Sequence, residues 1–347
     1  MKAAILEKLN APLMVDKLQW PDKLECGQVL VKVHASGICG AQRGEISGTK
    51  GEDKYLPHLL GHEGGGVVMD VGPGVTQVKK GDHVVMHWRK GAGIEAAPPK
   101  YKWGDKTVSG KWVTTFNEYA IVSENRVTPI EKDIPFEIAA LMGCAVTTGL
   151  GLVNNEAQLK IGQSIAVIGC GGVGLNIIQG AVMVSAGTII AIDILDNKLE
   201  MAAEFGATKL IKPDLLSVAT EAAIRHIGKP GVDVVVDCTG LVNMIDIGYS
   251  LVAPGGKMIL VGQPRHDQKL TINAMRRHYC GQTLFDSQGG LTNPSTDIPR
   301  YLDLYRAGKL KLDSLITHRY PLEQVNDALD MVRSGQAGRV ILEMKGD

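Results

Sequence analysis

The sequence predicts an α/β protein made of a β-rich, barrel-like domain and a doubly wound parallel sheet. Three observations lead to this prediction. Up to about residue 125 the chain is a series of short β-branched runs separated by glycine and proline turns. From about residue 150, continuous apolar strands alternate with helical segments, as they do in βαβ units. A glycine-rich loop, Gly169 to Gly174, follows the first of those strands.

Size and composition agree with two separate cores. The chain has 347 residues, 44% of them hydrophobic and 21% charged, and its formal net charge is zero. This balance gives no reason to expect a nucleic-acid or membrane partner. We expect neither a signal peptide nor a membrane-spanning run. The six cysteines are scattered along the chain, which favours reduced thiols and a cytoplasmic location.

In the first domain, strands are predicted at 28–33, 66–71 and 116–122. Between Met86 and Trp112 the strand pattern lapses. This segment holds three of the four tryptophans and six lysine or arginine residues against two acidic ones. Two interpretations stay open: either the aromatic side chains pack inward while the lysines are solvated, or the segment forms a surface for an anionic or sugar-like partner.

The second domain and the tail have a clearer pattern. Strands are predicted at 163–168, 188–192, 232–237, 257–261 and 339–343, and helices at 175–185, 199–205, 298–307 and 322–333. The first strand is apolar throughout, as expected for a parallel sheet that is covered on both faces.

The glycine-rich loop has the full context of a dinucleotide-binding site. It follows a strand and begins a helix. An acidic residue, Asp193, lies at the end of the next strand, about 20 residues further on. Gly169 permits the tight turn, Gly171 lets the backbone approach the pyrophosphate, and Gly174 lets helix and strand pack closely. Asp193 would accept hydrogen bonds from the ribose hydroxyls and repel a 2′-phosphate, which predicts NAD rather than NADP.

A second group of residues has the character of metal ligands. His62 and Glu63 lie side by side among glycines, and imidazole is the commonest metal ligand in proteins. Cys39 follows the strand at 28–33, and Cys144 precedes the second domain. Two thiolates and one imidazole suit a catalytic zinc ion whose fourth position stays open. The alternative is two ordinary polar residues at a strand edge and two buried free thiols.

With these motifs the chain resembles the zinc-dependent alcohol dehydrogenases of the medium-chain dehydrogenase/reductase superfamily. The most specific motif is G-H-E-x-x-G-x5-G-x-x-V, which runs here from Gly61 to Val75, and the resemblance covers essentially the whole chain. It implies a GroES-like β-barrel catalytic domain, residues 1–146 and 288–347, interrupted by a Rossmann nucleotide-binding domain, residues 147–287. Residues 269–273 match the edge strand through which such domains pair, which implies a homodimer or homotetramer.

The resemblance also implies roles for individual residues. Cys39, His62 and Cys144 match the ligands of the catalytic zinc ion, and Glu63 is a nearby carboxylate whose direct binding to the ion stays open. Thr148 matches a residue that packs beside the nicotinamide. The implied cofactor-binding set consists of Gly169, Gly171, Gly172, Val173, Gly174, Asp193, Lys198, Thr239, Val261 and Arg339, the last of which matches a basic residue that contacts the pyrophosphate.

The chain departs from the family pattern in three places. Many relatives bind a structural zinc ion through four cysteines in the segment that is Met86 to Trp112 here, and this segment has none. We therefore expect one zinc ion per chain, with the tryptophans supplying the packing. Ala41 replaces a serine or threonine that starts the proton relay. Gln42 replaces an aspartate that orients the zinc-bound histidine, which should alter the basicity of His62.

The expected function is hydride transfer between NAD and the CH–OH group of a small-molecule alcohol, with zinc as the Lewis acid. Trp88 and Ala41 fall in the substrate pocket of the family. Gln263 stands where enzymes of apolar alcohols carry an aliphatic residue, and unless it faces water it favours a polyol, sugar or aminocyclitol.

Several alternatives stay open. Without a hydroxyl at position 41, the proton would leave through water, the cofactor ribose, or a side chain such as His87 or Tyr119. The chain could also be a simple alcohol or aldehyde dehydrogenase, a zinc-free reductase of the same fold, or a non-catalytic NAD-binding protein.

Overall fold

The computed structural model describes residues 1–213, 231–272 and 274–344, and the chain divides into two compact units. The first unit comprises Met1–Thr147 and Asn293–Asp347, and the second comprises Thr148–Thr292. Within the described ranges, no single helix has the length and apolar character needed to cross a membrane. One bent pair, Phe136–Met142 with Ala145–Ala157, meets that criterion only when its two helices are taken together.

The first unit opens with a run of short strands: β1 (Lys2–Leu6), β2 (Met14–Lys17), β3 (Gln28–Gly37), β4 (His58–Leu59), β5 (Glu63–Val71), β6 (His83–His87), β7 (Lys100–Trp103), β8 (Lys106–Ser109), β9 (Tyr119–Ser123) and β10 (Val127–Ile130). The helices of this part are α1 (Gly40–Ile46), α2 (Phe136–Met142) and α3 (Ala145–Gly151). The boundary between the units falls within α3, which continues as a π-helical segment, Leu152–Ala157.

The second unit is built on a parallel sheet. Its strands are β11 (Ser164–Ile168), β12 (Thr188–Ile192), β13 (Lys209–Ile211), β14 (Val232–Asp237), β15 (Val252–Leu260) and β16 (Thr283–Asp286), and its helices include α4 (Gly172–Met183), α5 (Asp196–Glu204), α6 (Val242–Leu251) and α7 (Ala274–Cys280). The strand order is β13-β12-β11-β14-β15-β16, with every pair parallel. The order reverses between β11 and β14, where ligands bind in sheets of this kind.

The end of the chain returns to the first unit. It contributes α8 (Pro294–Arg306), β17 (Ile316–Pro321), α9 (Val325–Ser334) and β18 (Arg339–Glu343). The larger sheet of the unit has the order β10-β6-β5-β3-β18-β17, with β9 also paired to β3, and the smaller sheet has the order β2-β1-β4-β8-β7. The last strand of the chain therefore lies inside the larger sheet, antiparallel to β3.

Local sequence explains why β3 and β5 can pack as they do. In β3 the side chains of Val29, Val31 and Val33 are buried, and the residues between them are half-buried, so the alternation marks the core face. In β5, a Cβ at Gly65 would lie 2.4 Å from the carbonyl oxygen of Phe136, and one at Gly66 would lie 2.3 Å from that of Lys32. The glycines thus allow α2 and β3 to approach β5 closely.

The predicted fold class is confirmed, and several element boundaries differ from the prediction. Helix α4 begins at Gly172, inside the glycine motif and before the predicted start at residue 175. Strand β5 begins at Glu63, before the predicted start at residue 66. Strand β15 begins at Val252, five residues before the predicted start at residue 257. Residues 269–272 form no strand in this single chain, and Asn273 lies outside the described residues. The strand was predicted because the matching segment of the family is an edge strand that pairs with a second copy of the domain.

Candidate metal centre and nucleotide loop

The structure brings together three predicted ligands that come from three separate segments of the first unit. Cys39 lies between β3 and α1, His62 directly precedes β5, and Cys144 lies between α2 and α3. One ligand atom from each residue lies within 4.8 Å of the other two. Gly61 holds the chain before His62 at φ +86°, and a Cβ there would lie 2.4 Å from the Thr115 hydroxyl oxygen.

The two cysteines of this cluster are joined by a hydrogen bond between their sulfur atoms. The Sγ atoms of Cys144 and Cys39 are 3.9 Å apart, with Cys144 as donor. This contact lowers the pKa of Cys39 well below its usual range, and the same contact together with burial raises the pKa of Cys144. The site therefore stabilises one thiolate without a metal ion, and a divalent ion would stabilise both.

The donor set fits a zinc ion. Nε2 of His62 is buried and has no hydrogen-bond partner among the described residues. Burial alone would lower the pKa of His62, but the Cys39 side chain, with the carboxylates of Glu63 and Glu45, outweighs it and the pKa is raised. Two sulfurs and one nitrogen, with a fourth position left for an exchangeable ligand, are the donors of a catalytic rather than a structural zinc site.

Glu63 does not stand alone beside this cluster. Its carboxylate forms an ion pair with Arg339, and the two side chains are 0% and 5% exposed. Gly37 makes room for the pair, because a Cβ there would lie 2.8 Å from Cδ of Glu63. Burial raises the pKa of Glu63, and Arg339 opposes that rise. Sequence reasoning missed the pair, and assigned Arg339 only to the cofactor pyrophosphate.

Gln42 contacts the metal cluster at two points. Its Oε1 accepts the backbone N–H of Cys39 at 2.9 Å, and its Nε2 lies 2.5 Å from Nδ1 of His62. Gln42 is 1% exposed. The contact with His62 agrees with the sequence prediction for position 42, whereas nothing in the sequence signalled the bond from Cys39.

The candidate pocket residues have different surroundings. The Trp88 backbone N–H donates to the carbonyl oxygen of Gly143, 3.4 Å away, which places Trp88 beside the turn that carries Cys144. Ala41 is half-buried in the first turn of α1. In the second unit, Thr148 is buried and Gln263 is exposed.

The two side chains considered for proton transfer are engaged elsewhere. The His87 ring donates from Nδ1 to the carbonyl oxygen of Arg89 at 2.7 Å, and its Nε2 lies 2.9 Å from the Thr128 hydroxyl. Burial lowers the pKa of His87 to about 4, so the ring is neutral at pH 7. Tyr119 packs edge-on against Trp20, with ring centroids 5.2 Å apart.

The tryptophan-rich segment, Met86 to Trp112, does not bury all its aromatic rings. Trp112 is 46% exposed, so the inward-packing interpretation is wrong for this residue. Each of the three rings has a cation over it, at centroid distances of 5.7, 5.3 and 6.0 Å: Arg89 over Trp88, Lys106 over Trp103 and Arg126 over Trp112.

A buried carboxylate binds backbone N–H groups both inside this segment and outside it. Glu124 is 0% exposed and accepts the backbone N–H groups of Thr76 at 2.6 Å, Gln77 at 2.8 Å and Ile94 at 2.6 Å. Burial tends to raise the pKa of Glu124, but these backbone donors outweigh it and the pKa is lowered. The Ser123 hydroxyl adds a bond from the N–H of Ala96 at 2.7 Å.

In the second unit, the glycine loop has the geometry that a dinucleotide requires. Gly169 lies at φ +91°, a conformation that favours glycine. A Cβ at Gly174 would lie 2.1 Å from the Gly169 carbonyl oxygen, so this glycine is needed for packing. A Cβ at Gly171 would meet no atom within 4 Å, which leaves open space before the first turn of α4, where Gly172 and Val173 lie.

Asp193 is tied to this loop. Its carboxylate accepts the N–H of Cys170 at 2.8 Å and the N–H of Leu195 at 3.0 Å. Of the other predicted cofactor residues, Lys198 is 5% exposed in α5, and Thr239 donates its hydroxyl to Asp237 at 2.6 Å. The N–H of Val261 donates to the Asp237 carbonyl oxygen at 2.8 Å. Sequence reasoning missed the part that Asp237 plays in placing the last two.

Comparison with known proteins gives two family matches that together cover more than half of the chain. Residues 25–132 match the alcohol dehydrogenase GroES-like domain, and residues 172–307 match the zinc-binding dehydrogenase domain.

Among curated relatives, alcohol dehydrogenase class-3 of Cereibacter sphaeroides is 31% identical, with 98% of this chain and 99% of the relative covered. An S-(hydroxymethyl)glutathione dehydrogenase of Paracoccus denitrificans is 30% identical over the same shares. Among solved structures, benzyl alcohol dehydrogenase of Acinetobacter calcoaceticus has a TM-score of 0.87 at 26% identity, with 99% of both chains covered.

Proposed function

Because the chain belongs to the zinc-dependent alcohol dehydrogenases of the medium-chain dehydrogenase/reductase superfamily, we propose that it transfers hydride between NAD and a secondary CH–OH group of a polyol, sugar or aminocyclitol. Cys39, His62 and Cys144 hold the catalytic zinc ion in this proposal. The single observation that carries it is their convergence within 4.8 Å, together with a buried Nε2 of His62 that has no partner among the described residues.

In this reaction the metal ligands and the residues of the nucleotide loop would have separate roles. When bound, zinc supplies Lewis acidity that lowers the pKa of the alcohol. The Cys39 and Cys144 thiolates would hold the ion and offset its divalent charge, and His62 would be the third protein donor, so that the set would leave room for substrate. The open space at Gly171 admits the pyrophosphate, and Asp193 holds the adenosine ribose.

The proton must leave by a route other than the relay that is usual in the family. Ala41 has no hydroxyl group, His87 is neutral and already bonded at both ring nitrogens, and Tyr119 packs against Trp20. Water or the cofactor ribose is therefore the proposed path.

A tryptophan close to the turn that carries Cys144 bears on the substrate class. The backbone of Trp88 lies beside the turn that carries Cys144, and an indole ring is of the kind that stacks on the C–H face of a sugar ring. Gln263 is exposed in the second unit, so it adds no support for a hydroxylated substrate. The names of two relatives favour a second candidate, S-(hydroxymethyl)glutathione, whose peptide carboxylates would suit the cations of the tryptophan-rich segment.

The test is a turnover panel on protein whose zinc and NAD content has been measured. The panel contains polyols, cyclitols and sugars, then ethanol, longer alkanols and benzyl alcohol, and finally formaldehyde with glutathione. A higher kcat/KM on the first group supports the proposal. Preference for alkanols or for the glutathione adduct would overturn the polyol assignment, and NADH binding without any turnover would favour a non-catalytic protein.

Two further expectations belong to this proposal. The chain would work as a homodimer or homotetramer, which light scattering measures. All six cysteines are unpaired, which supports a reducing compartment such as the cytoplasm.

A further inference from the structure

Gln42 gives the metal site a partner with only one acceptor atom. Its amide oxygen is already used by the N–H of Cys39 at 2.9 Å, so its NH2 group is left to face Nδ1 of His62 at 2.5 Å. Gln42 is 1% exposed, so water does not replace either bond. The whole arrangement lies in the first unit: Cys39 directly precedes α1, Gln42 lies within α1, and His62 directly precedes β5.

The NH2 group can donate to Nδ1 only when that nitrogen carries a lone pair. A neutral imidazole then has its hydrogen on Nε2, the nitrogen without a partner among the described residues. A metal ion bound at Nε2 needs the lone pair there, which moves the ring hydrogen to Nδ1. That hydrogen would point at the Gln42 NH2 group.

Turning the amide by half a rotation does not remove the conflict. The Gln42 oxygen would then accept from Nδ1 of His62, but the NH2 group would meet the N–H of Cys39. In either orientation one buried N–H group loses its acceptor. A carboxylate of the same length has two acceptor oxygens and would serve both donors.

We propose that Gln42 is a positioning residue that weakens zinc binding at His62 and holds the metal-free, neutral ring with its hydrogen on Nε2. The inference rests on the proposed function, because it takes Cys39, His62 and Cys144 as the zinc ligands. A carboxylate partner of a metal-bound histidine contributes about 10–100-fold to metal affinity. The amide of Gln42 forgoes that contribution.

The first experiment compares zinc affinity in the wild type and Gln42→Glu, by competition with a chromophoric chelator. We expect Gln42→Glu to bind zinc about 10–100-fold more tightly. Gln268→Glu adds the same charge at an exposed position of the second unit, and it should leave the affinity unchanged. Equal affinities in the wild type and Gln42→Glu would overturn the inference.

The second experiment needs no variant of Gln42 that folds. Nitrogen-15 NMR of the zinc-free wild type at about pH 9, above the usual histidine pKa, reports which ring nitrogen carries the hydrogen. A His62→Asn spectrum assigns the signal. We expect the hydrogen on Nε2 of His62 in the wild type. A hydrogen on Nδ1 there contradicts the inference.

These readouts separate the inference from the proposed function. A zinc affinity that rises in Gln42→Glu, in a protein that turns over no alcohol, supports the inference while the proposed function fails. Alcohol turnover with equal zinc affinities leaves the proposed function standing and removes the inference.

Discussion

Glu63 and Arg339 form an ion pair that is closed off from solvent inside the first unit, with side-chain exposures of 0% and 5%. Glu63 directly follows the predicted ligand His62, and Arg339 begins the last strand of the chain. A buried pair of this kind tolerates the loss of one partner poorly, because the remaining charge is left uncompensated in a medium of low polarity.

Replacing Arg339 should therefore destabilise the protein strongly. We expect Arg339→Met to lower the free energy of unfolding by about 3–5 kcal/mol, since the Glu63 carboxylate would stay buried without a partner. Urea unfolding of the metal-free protein measures this. Arg319→Met is the control, because its bidentate pair with Glu137 is 46% and 28% exposed and should cost about 1 kcal/mol or less. Equal losses in the two variants would show that burial of the Glu63 pair has no special weight.

The Glu124 clamp predicts a pH-dependent stability. Its folded pKa is depressed, so its contribution is present above the ordinary glutamate pKa and is lost as the pH falls through the folded value. At pH 7, Glu124→Gln should cost about 2–4 kcal/mol, because one amide oxygen replaces a charged acceptor of three N–H groups. The difference in the free energy of unfolding between the wild type and Glu124→Gln should become smaller below about pH 4.3.

Urea unfolding of the wild type and Glu124→Gln across this pH range tests the clamp. Glu25→Gln removes an exposed carboxylate and should track the wild type throughout. A gap between wild type and Glu124→Gln that stays constant with pH would contradict the assignment.

Two glycines of the nucleotide loop should respond differently to alanine. Gly174→Ala should destabilise the second unit by about 3 kcal/mol or more, because its Cβ would lie 2.1 Å from a backbone oxygen. Gly171→Ala should fold normally, since its Cβ meets no protein atom within 4 Å. We expect it instead to weaken NAD binding by about tenfold or more, through steric conflict with the pyrophosphate. Thermal unfolding and NADH fluorescence titration separate the two effects, and normal NADH affinity in Gly171→Ala would place the pyrophosphate elsewhere.

Asp193 should set the preference between the two nicotinamide cofactors. Asp193→Asn removes the charge that repels a 2′-phosphate and weakens hydrogen bonds to the ribose, so kcat/KM for NAD should fall about 10–100-fold and the NAD-to-NADP ratio should fall with it. Asp196→Asn is the matched control, because that carboxylate is 70% exposed and paired with Lys212. An unchanged ratio in Asp193→Asn would remove Asp193 from the cofactor site.

Zinc removal should expose the thiols of the metal centre. In zinc-loaded protein, Cys39 should be alkylated by iodoacetamide at least about tenfold more slowly than after chelation, since a metal-bound thiolate is not free to react. Mass spectrometry of the cysteine-containing peptides measures this. Cys26 is exposed and should react at the same rate in both forms. Zinc-independent labelling of Cys39 would argue against its assignment as a ligand.

Local sequence patterns were enough to predict the fold class and the glycine loop. The apolar run of β11, the motif from Gly169 to Gly174 and the acid at Asp193 are all encoded within about 30 residues, the size of one βαβ unit. The start of α4 at Gly172 was not predicted, because glycine and valine have low intrinsic helix propensity. There the packing of the second unit overrides local preference.

The contacts that support the metal cluster and the tryptophan-rich segment join residues that are far apart in the chain. Glu63 and Arg339 are separated by 276 positions. The sequence around each residue does not indicate that the two form a pair. Glu124 binds backbone N–H groups of Thr76, Gln77 and Ile94, which any residue type could offer. The motif comparison predicted the grouping of Cys39, His62 and Cys144, whereas these supporting contacts follow only from the folded backbone.

The position of β18 has a consequence for how the protein is made. The three predicted zinc ligands are synthesised before the second unit, whereas the strand that pairs with β3 and carries the partner of Glu63 is synthesised after it. The larger sheet of the first unit therefore cannot be completed until the second unit has been synthesised, and that unit can already fold as a continuous segment. During that interval Cys39, His62 and Cys144 lie in a unit whose larger sheet lacks β18, where they are open to premature metal binding and thiol oxidation.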